Sequence, residues 1–229
     1  MSLSPSLDDA PHRDEARAAR PRLVTVPGLH GSGAAHWQTW LEAQFPGALR
    51  VEQAAWDVPD LAAWAGRVAA TLEEAGPGPH AVVAHSFGCL AALHLLQQAG
   101  QGGGAHAVPA GAATAAASAA WRIAELLLVA PAEPVRFGAA GRLPQGRIEV
   151  PTCVVASDTD PWMTAANARA WALRWGSVWI NLGDAGHVNV AAGFGPFPLA
   201  RDWAHAALRR LAPPPDAEGF DARPWRVAA

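Results

Sequence analysis

A serine between small residues, in the segment Ala-His-Ser-Phe-Gly at residues 84–88, constrains the fold of this chain more than any other feature. An apolar run at residues 80–83 precedes it, and a leucine-rich run with a helical pattern at residues 90–96 follows it. This order is the layout of a nucleophile elbow, in which a strained turn presents the serine Oγ at the carboxyl end of a strand. Glycine is usual at the first small position, where this chain has Ala84. The interpretation of the motif therefore depends on the rest of the chain.

Strand-type and helical patterns alternate along the chain, whose 229 residues suit one domain. We predict strands at residues 22–26, 49–54, 80–83, 125–130, 153–156 and 177–182. We predict helices at residues 36–45, 60–74, 90–98, 164–175 and 198–211. Strands that alternate with helices indicate a mostly parallel sheet with helices on both faces. The predicted fold class is therefore α/β, in a single domain.

Changes in composition mark the boundaries of the predicted domain. Residues 1–20 are polar and carry both signs of charge, which predicts a poorly ordered N-terminal extension. The domain is expected at residues 21–212, and a Pro-rich C-terminal tail follows at residues 213–229. Within the domain, residues 99–120 are mostly Ala and Gly, and we interpret them as a flexible insertion that adds little to the core.

Charge and cysteine content argue against several classes of function. The net charge is −3 and no basic stripe occurs, so neither nucleic acid nor a membrane surface is an expected partner. Cys89 and Cys153 lie in apolar runs, which predicts reduced core thiols, and no His/Cys spacing fits a metal.

Neither a dinucleotide-binding G-x-G-x-x-G motif nor a Walker lysine occurs, so no cofactor is expected. The N-terminus lacks the apolar region of a secretory signal and no apolar stretch reaches transmembrane length, so we expect a cytoplasmic location.

Partners for Ser86 follow later strands in the order that this kind of site uses. A serine needs a base that takes its proton, and the base needs an acid that orients it; the chain order is Ser, then Asp or Glu, then His. His187 follows the last predicted strand in a Gly-containing loop, and we assign it as the base. Asp158 and Asp160 both follow the strand at 153–156; we assign Asp160 as the acid because a proline comes next and fixes the start of the following helix. Asp158 is interpreted as a turn or helix-cap residue.

Two backbone N–H groups are expected to form an oxyanion hole, which stabilises the negative oxygen of an acyl-transfer intermediate. One should belong to Phe87, the residue after the serine, and the other to Leu29, in the Pro-Gly-Leu-His-Gly loop after the first strand. Four further side chains are candidates for the walls of the substrate pocket: His30, His85, Trp56 and Trp162.

Taken together, these segments resemble the small serine hydrolases of the α/β-hydrolase superfamily known as the retinoblastoma-binding protein 9 and YdeN family. The resemblance covers residues 22–212 and rests on the segments 26–32, 36–37, 84–88, 156–162, 175–176, 183–189 and 193–196. It implies a compact α/β-hydrolase domain without a large lid domain, and it supports Ser86 as nucleophile, His187 as base and Asp160 as acid. The L-x-C-x-E motif that links the vertebrate member to retinoblastoma binding does not occur in this sequence, so that partner is not expected.

The expected activity is acyl transfer from a small-molecule substrate to water. A small carboxylic ester is favoured, because an ester has a good leaving group and needs no extended peptide groove. Two alternatives stay open: a serine peptidase or amidase acting on short substrates, and a catalytically idle binding protein with the same fold. Comparison of aminoacyl amides with acyl esters as substrates distinguishes the peptidase alternative. The distances between the side chains of Ser86, Asp160 and His187 bear on the alternative of an idle binding protein.

Overall fold

A six-stranded sheet lies at the centre of the computed structural model, which describes residues 20–101 and 118–213. Its strands are β1 (Leu23–Val26), β2 (Leu49–Arg50), β3 (His80–His85), β4 (Ile123–Val129), β5 (Thr152–Ala156) and β6 (Val178–Asn181). They lie in the order β2-β1-β3-β4-β5-β6, and every neighbouring pair is parallel. The predicted α/β class is therefore confirmed. Because β3 lies between β1 and β4, Ser86 follows a strand in the interior of the sheet.

Helices pack on both faces of this sheet. Those in the described part of the chain are α1 (Trp37–Ala43), α2 (Leu61–Glu74), α3 (Phe87–Gln101), α4 (Ala165–Trp175) and α5 (Pro198–Leu211). Successive strand residues point to opposite faces: Val82 belongs to a core cluster that contains residues of α2, α3 and α4, whereas Val83 belongs to a cluster that contains residues of α1 and α5. Burial on both faces explains why the four inner strands, β1, β3, β4 and β5, are apolar runs rather than alternating patterns. No helix within the described ranges is long and apolar enough to cross a membrane.

Capping residues in the sequence fix the ends of two helices. The Asp60 side chain accepts hydrogen bonds from the N–H groups of Ala62 and Ala63 at the start of α2, and Asp60 is the first residue of the helix predicted at 60–74. The Thr164 side chain caps α4 in the same way, and α4 is followed by Gly176, whose φ of 67° lies in the left-handed region that favours glycine. These local signals explain why the bounds of α2 and α4 were predictable.

The strand predicted at 49–54 is much shorter in the structure. β2 contains only Leu49–Arg50, and its one neighbour in the sheet is β1. β1 ends at Val26 and is followed by Pro27, which has no N–H to donate to a ladder. The pairing therefore stops after two residues, although the strand predicted from the sequence continues to residue 54.

The segment predicted as an insertion at residues 99–120 is partly helical. α3 continues to Gln101, and residues 118–120 are helical as well. Residues 102–117 lie outside the described part of the chain, as do residues 1–19 of the predicted extension and 214–229 of the predicted tail.

Both cysteines lie in the core as free thiols. Cys89 in α3 and Cys153 in β5 are buried. Burial raises the pKa of Cys153 to about 11 and raises the pKa of Cys89 well above its ordinary value. Both thiols therefore stay protonated at neutral pH, and the interpretation as reduced core thiols is confirmed.

Candidate active site

Ser86 lies in a strained turn between β3 and α3. Its φ is 53°, in the left-handed region that side chains rarely adopt. The turn fits because its neighbours lack side chains: a Cβ on Gly88 would collide with the carbonyl oxygen of Pro27, and a Cβ on Gly28 would lie 2.6 Å from the Ser86 Cβ. Ala84 is fully buried in β3 and its methyl group packs in the core, so this position does not require the usual glycine. The local geometry is that of a nucleophile elbow.

Replacing Gly88 with alanine is expected to lower the free energy of unfolding by about 3 kcal/mol, because the new Cβ meets fixed backbone atoms. The matched control is Gly66→Ala, in open space inside α2, which is expected to raise the free energy of unfolding by about 1 kcal/mol. Urea denaturation measures both changes. Equal effects of the two substitutions would contradict the close approach of α3 to the loop after β1.

The side chains of Ser86, His187 and Asp160 form a continuous hydrogen-bonded relay. His187 Nε2 lies 2.8 Å from Ser86 Oγ, and His187 Nδ1 lies 2.9 Å from each carboxylate oxygen of Asp160. A carboxylate accepts only, so Nδ1 carries the proton of the neutral ring and Nε2 accepts the serine hydroxyl. The backbone N–H of Trp162 also donates to Asp160 at 2.8 Å, which fixes the carboxylate. This is the geometry that a serine, a base and an orienting acid require.

Asp158, the other aspartate after β5, does not reach His187. Its side chain accepts a hydrogen bond from Asn181 at 2.8 Å, and its backbone N–H donates to Gly183 at 2.8 Å. Asp158 therefore ties the end of β5 to the end of β6, and of the two aspartates Asp160 alone contacts the histidine.

Two hydroxyl side chains beside Asp160 connect its loop to the loop that carries His187. Ser157 Oγ donates to the Gly183 carbonyl at 2.9 Å, and Thr159 Oγ1 donates to the Asp184 carboxylate at 2.7 Å. Because the partners lie more than twenty residues apart, no pattern in the sequence identifies them. The two loops are therefore held as one unit, which keeps Asp160 and the histidine in register.

Two buried side chains also contact the loop that carries His187. Trp37 Nε1 donates to the Val188 carbonyl at 2.8 Å, and His85 Nε2 lies 3.0 Å from the His187 carbonyl oxygen. Trp37 is fully buried and His85 is 5% exposed. The backbone carbonyls of the proposed base and of the residue after it therefore contact fixed groups of the core.

One proposed oxyanion donor, Phe87, directly follows Ser86, and the other, Leu29, lies in the loop after β1, which approaches Ser86 at Gly28. Phe87 is the first residue of α3, where backbone N–H groups have no partner inside the helix. In the loop after β1, the His30 N–H donates to the Trp56 carbonyl at 2.9 Å, and the Gly31 N–H donates to the Gly28 carbonyl at 3.0 Å. Those two N–H groups are therefore occupied, which favours Leu29 as the second donor.

A buried glutamine connects this loop to the strand that precedes Ser86. Gln38 Nε2 donates to the carbonyl oxygens of Val26 at 3.3 Å and Val83 at 3.1 Å, and its Oε1 accepts the Ser32 hydroxyl at 2.7 Å. Arg50 Nη1 donates to the Ser32 carbonyl at 2.9 Å. Sequence reasoning missed Gln38, whose position in a short amphipathic helix carries no sign of this role. Its contacts fix the distance between the loop after β1 and the elbow.

A cavity of about 370 Å³ opens in front of Ser86. Its lining consists of Leu29, His30, Gly31, Gly33, His36, His85, Ser86, Ala132, Phe137, Trp162, His187, Asn189, Val190 and Ala191. Three of the four pocket candidates, His30, His85 and Trp162, are among them. None of the residues in this lining is Asp, Glu, Lys or Arg, so the cavity suits an uncharged ligand.

Trp56, the fourth pocket candidate, is not part of this lining. A Cβ on Gly31 would lie 3.4 Å from the Trp56 ring, so the tryptophan packs behind the loop after β1. Its ring makes an edge-on contact with Trp64 of α2, with centroids 5.7 Å apart. The prediction of Trp56 as a pocket wall is therefore corrected: the residue supports the loop from the core side.

Two histidines beside the relay are uncharged at neutral pH. Burial, together with the nearby Arg50 and His187, lowers the pKa of His36 to about 4. Burial also lowers the pKa of His85 well below its ordinary value, with smaller contributions from His187 and His36. The part of the cavity wall that these two rings form is therefore polar but not charged.

The parallel sheet, the elbow and the relay define an α/β-hydrolase. A family model described as serine hydrolase matches residues 23–205, and the chain therefore belongs to this serine hydrolase family. No curated protein matches the chain by sequence.

Solved structures of related proteins agree with this family. A YdeN-like hydrolase from Pectobacterium atrosepticum is 34% identical, with 88% of this chain and 98% of that chain covered and a TM-score of 0.71. The ydeN gene product of B. subtilis is 18% identical, with 82% of this chain and 99% of that chain covered and a TM-score of 0.61. Mouse alpha/beta hydrolase domain-containing protein 10 is 13% identical, with 84% of this chain and 91% of that chain covered and a TM-score of 0.58. The last two are similar in fold alone, and the resemblance to the YdeN family is confirmed.

Proposed function

We propose that the protein hydrolyses small carboxylic esters by acyl transfer through Ser86, His187 and Asp160. The observation that carries this proposal is the relay from Ser86 Oγ to His187 Nε2, at 2.8 Å, and from His187 Nδ1 to Asp160, at 2.9 Å. It lies at an uncharged cavity large enough for a small molecule.

In the first step Ser86 Oγ attacks the ester carbonyl carbon while His187 Nε2 takes the hydroxyl proton. Asp160 accepts a hydrogen bond from the Nδ1–H group of His187 and stabilises the imidazolium that forms. The carbonyl oxygen becomes an oxyanion, which the N–H groups of Phe87 and Leu29 stabilise. The intermediate then collapses: the bond to the leaving alcohol breaks, and His187 returns the proton to the alcohol oxygen.

In the second step water releases the acyl group. His187 takes one proton from the water, whose oxygen attacks the acyl-enzyme carbonyl, and the second tetrahedral intermediate expels Ser86 Oγ. The histidine then returns the proton to the serine. The products are a carboxylic acid and an alcohol, and no cofactor takes part in either step.

An ester is favoured over an amide because the cavity is small and uncharged. Its apolar side is formed by Leu29, Phe137 and Trp162, and no charged side chain lines it that could hold the termini of a peptide. The proposed partner is therefore a small uncharged acyl ester. A cytoplasmic location, expected from the sequence, stays a prediction.

Comparison of p-nitrophenyl acetate with an aminoacyl p-nitroanilide tests the substrate class. We expect kcat/KM for the ester to exceed that for the anilide by at least about 10²-fold, since an amide has the poorer leaving group and this cavity lacks a peptide site. A higher value for the anilide would favour the peptidase alternative. Turnover of neither compound by the folded protein would favour an idle binding protein.

A further inference from the structure

Two buried histidines line the cavity beside Ser86 and have no part in the proposed proton transfers. His36 and His85 are each 5% exposed, and their ring centroids lie 5.1 Å apart. The ring of His85 also lies 5.0 Å from that of His187. The two imidazoles therefore form a polar part of the wall directly next to the reacting atoms.

The hydrogen bond of His36 fixes the tautomer of its ring. Nδ1 accepts the backbone N–H of Gln38 at 3.1 Å, where His36 caps α1. In the neutral ring the proton is then on Nε2, and the lowered pKa of about 4 keeps the ring neutral at neutral pH. No described residue accepts a hydrogen bond from Nε2. His36 thus contributes one N–H donor to the cavity wall.

His85 is fixed in the complementary tautomer. Its Nε2 lies 3.0 Å from the carbonyl oxygen of His187, which can only accept, so Nε2 carries the proton and Nδ1 has the lone pair. Burial keeps this ring neutral as well. Within the described part of the chain, no group donates a hydrogen bond to Nδ1. His85 thus contributes one acceptor next to the donor of His36.

We propose that His36 and His85 form a subsite for an uncharged hydroxyl group of the ester substrate; this rests on the proposed esterase function. A hydroxyl group donates and accepts at once, so it can bond to both free ring nitrogens. A carboxylate or an ammonium group is not matched, because the neutral rings supply one donor and one acceptor and no charged side chain lines the cavity. An aliphatic group in the same place leaves both nitrogens unpaired, and sites built to bind a polar group reject the analogue that lacks it.

Two pairs of esters that differ only by a hydroxyl in place of a methyl group test the subsite. p-Nitrophenyl 3-hydroxybutanoate against p-nitrophenyl 3-methylbutanoate places the difference in the acyl part. 3-Hydroxybutyl acetate against 3-methylbutyl acetate places it in the alcohol part. We expect kcat/KM for the hydroxylated ester to be higher by at least about tenfold in at least one pair.

Three variants assign the preference to the two rings. His36→Asn keeps a side-chain oxygen that can cap α1 but removes the ring donor, and His85→Phe keeps a ring but removes the acceptor. The control is His205→Phe in α5, where His205 packs against Phe45, with ring centroids 4.4 Å apart, and does not line the cavity. We expect the hydroxyl preference to fall to near one in the first two variants and to stay unchanged in the control.

The ratio of kcat/KM for the hydroxylated ester to kcat/KM for its methyl counterpart separates selectivity from structure, because a purely structural effect lowers both values equally. A ratio near one in both pairs for the active wild-type protein would overturn the subsite and leave the esterase function intact. A ratio that persists in either His36→Asn or His85→Phe would also overturn it. Folded wild-type protein that hydrolyses none of the four esters would contradict the esterase function, and the subsite with it.

Discussion

Replacing Ser86 with alanine is expected to lower kcat for p-nitrophenyl acetate by about 10⁶-fold, the size of effect known for the loss of a serine nucleophile. The reason is that no other hydroxyl group bonds to His187 Nε2 in the described structure, where Ser86 Oγ lies 2.8 Å away. The rate of p-nitrophenol release from p-nitrophenyl acetate, followed by absorbance, measures the change in kcat. The alanine variant is expected to fold, since alanine lacks only the hydroxyl group.

A matched Ser→Ala substitution controls for an effect on folding. Ser177, just before β6, lies at the opposite end of the parallel sheet from Ser86, and its buried Oγ has no hydrogen-bond partner among the described residues. Ser177→Ala is therefore expected to leave kcat unchanged and to keep or raise the melting temperature, because it removes an unpaired buried hydroxyl. If the Ser86 variant kept more than about one-hundredth of the wild-type kcat, Ser86 would not be the nucleophile.

Asp160→Asn is expected to lower kcat by about 10⁴-fold, the size of effect known for the same change in a Ser-His-Asp triad. The carboxylate accepts the Nδ1–H of His187 with both oxygens at 2.9 Å, whereas an amide presents a donor at one of these positions. The ring then favours the tautomer with the proton on Nε2, which cannot accept the proton of Ser86. Steady-state kinetics with p-nitrophenyl acetate measure the loss.

Asp158→Asn is the matched control for the second substitution. Asp158 lies two residues away and contacts Asn181 rather than His187. Its change is expected to leave kcat within about threefold of the wild type, because the side chain is exposed and an amide oxygen can still accept the hydrogen bond from Asn181. A large loss from Asp158→Asn with a small loss from Asp160→Asn would reverse the assignment of the acid.

The sequence predicts the elements that local signals determine. The inner parallel strands are apolar runs that stop at turn residues, and the helices predicted at residues 60–74 and 164–175 begin at Asp60 and Thr164, which cap α2 and α4 in the structure. The positions of Ser86, Asp160 and His187 also follow from the sequence, because the carboxyl ends of parallel strands meet at one edge of a sheet.

Other features depend on contacts between distant parts of the chain. The length of β2 is set by where its neighbour β1 reaches Pro27, and Trp56 packs behind Gly31 because Trp64 of α2 lies there. The bonds that Gln38 makes to two strands exist only in the folded sheet. No local pattern carries this information, which explains why Trp56 was placed in the pocket wall and the glutamine was missed.

Reaction with a fluorophosphonate, followed by peptide mass mapping, tests the central claim most directly. The reagent loses fluoride to a nucleophilic serine and leaves a covalent phosphonyl group on its Oγ. We expect one adduct on the wild-type protein, in the peptide that contains Ser86, and no adduct on Ser86→Ala. An adduct on a different residue, or an unmodified wild-type protein with a native circular dichroism spectrum, would contradict the assignment of Ser86 as the nucleophile.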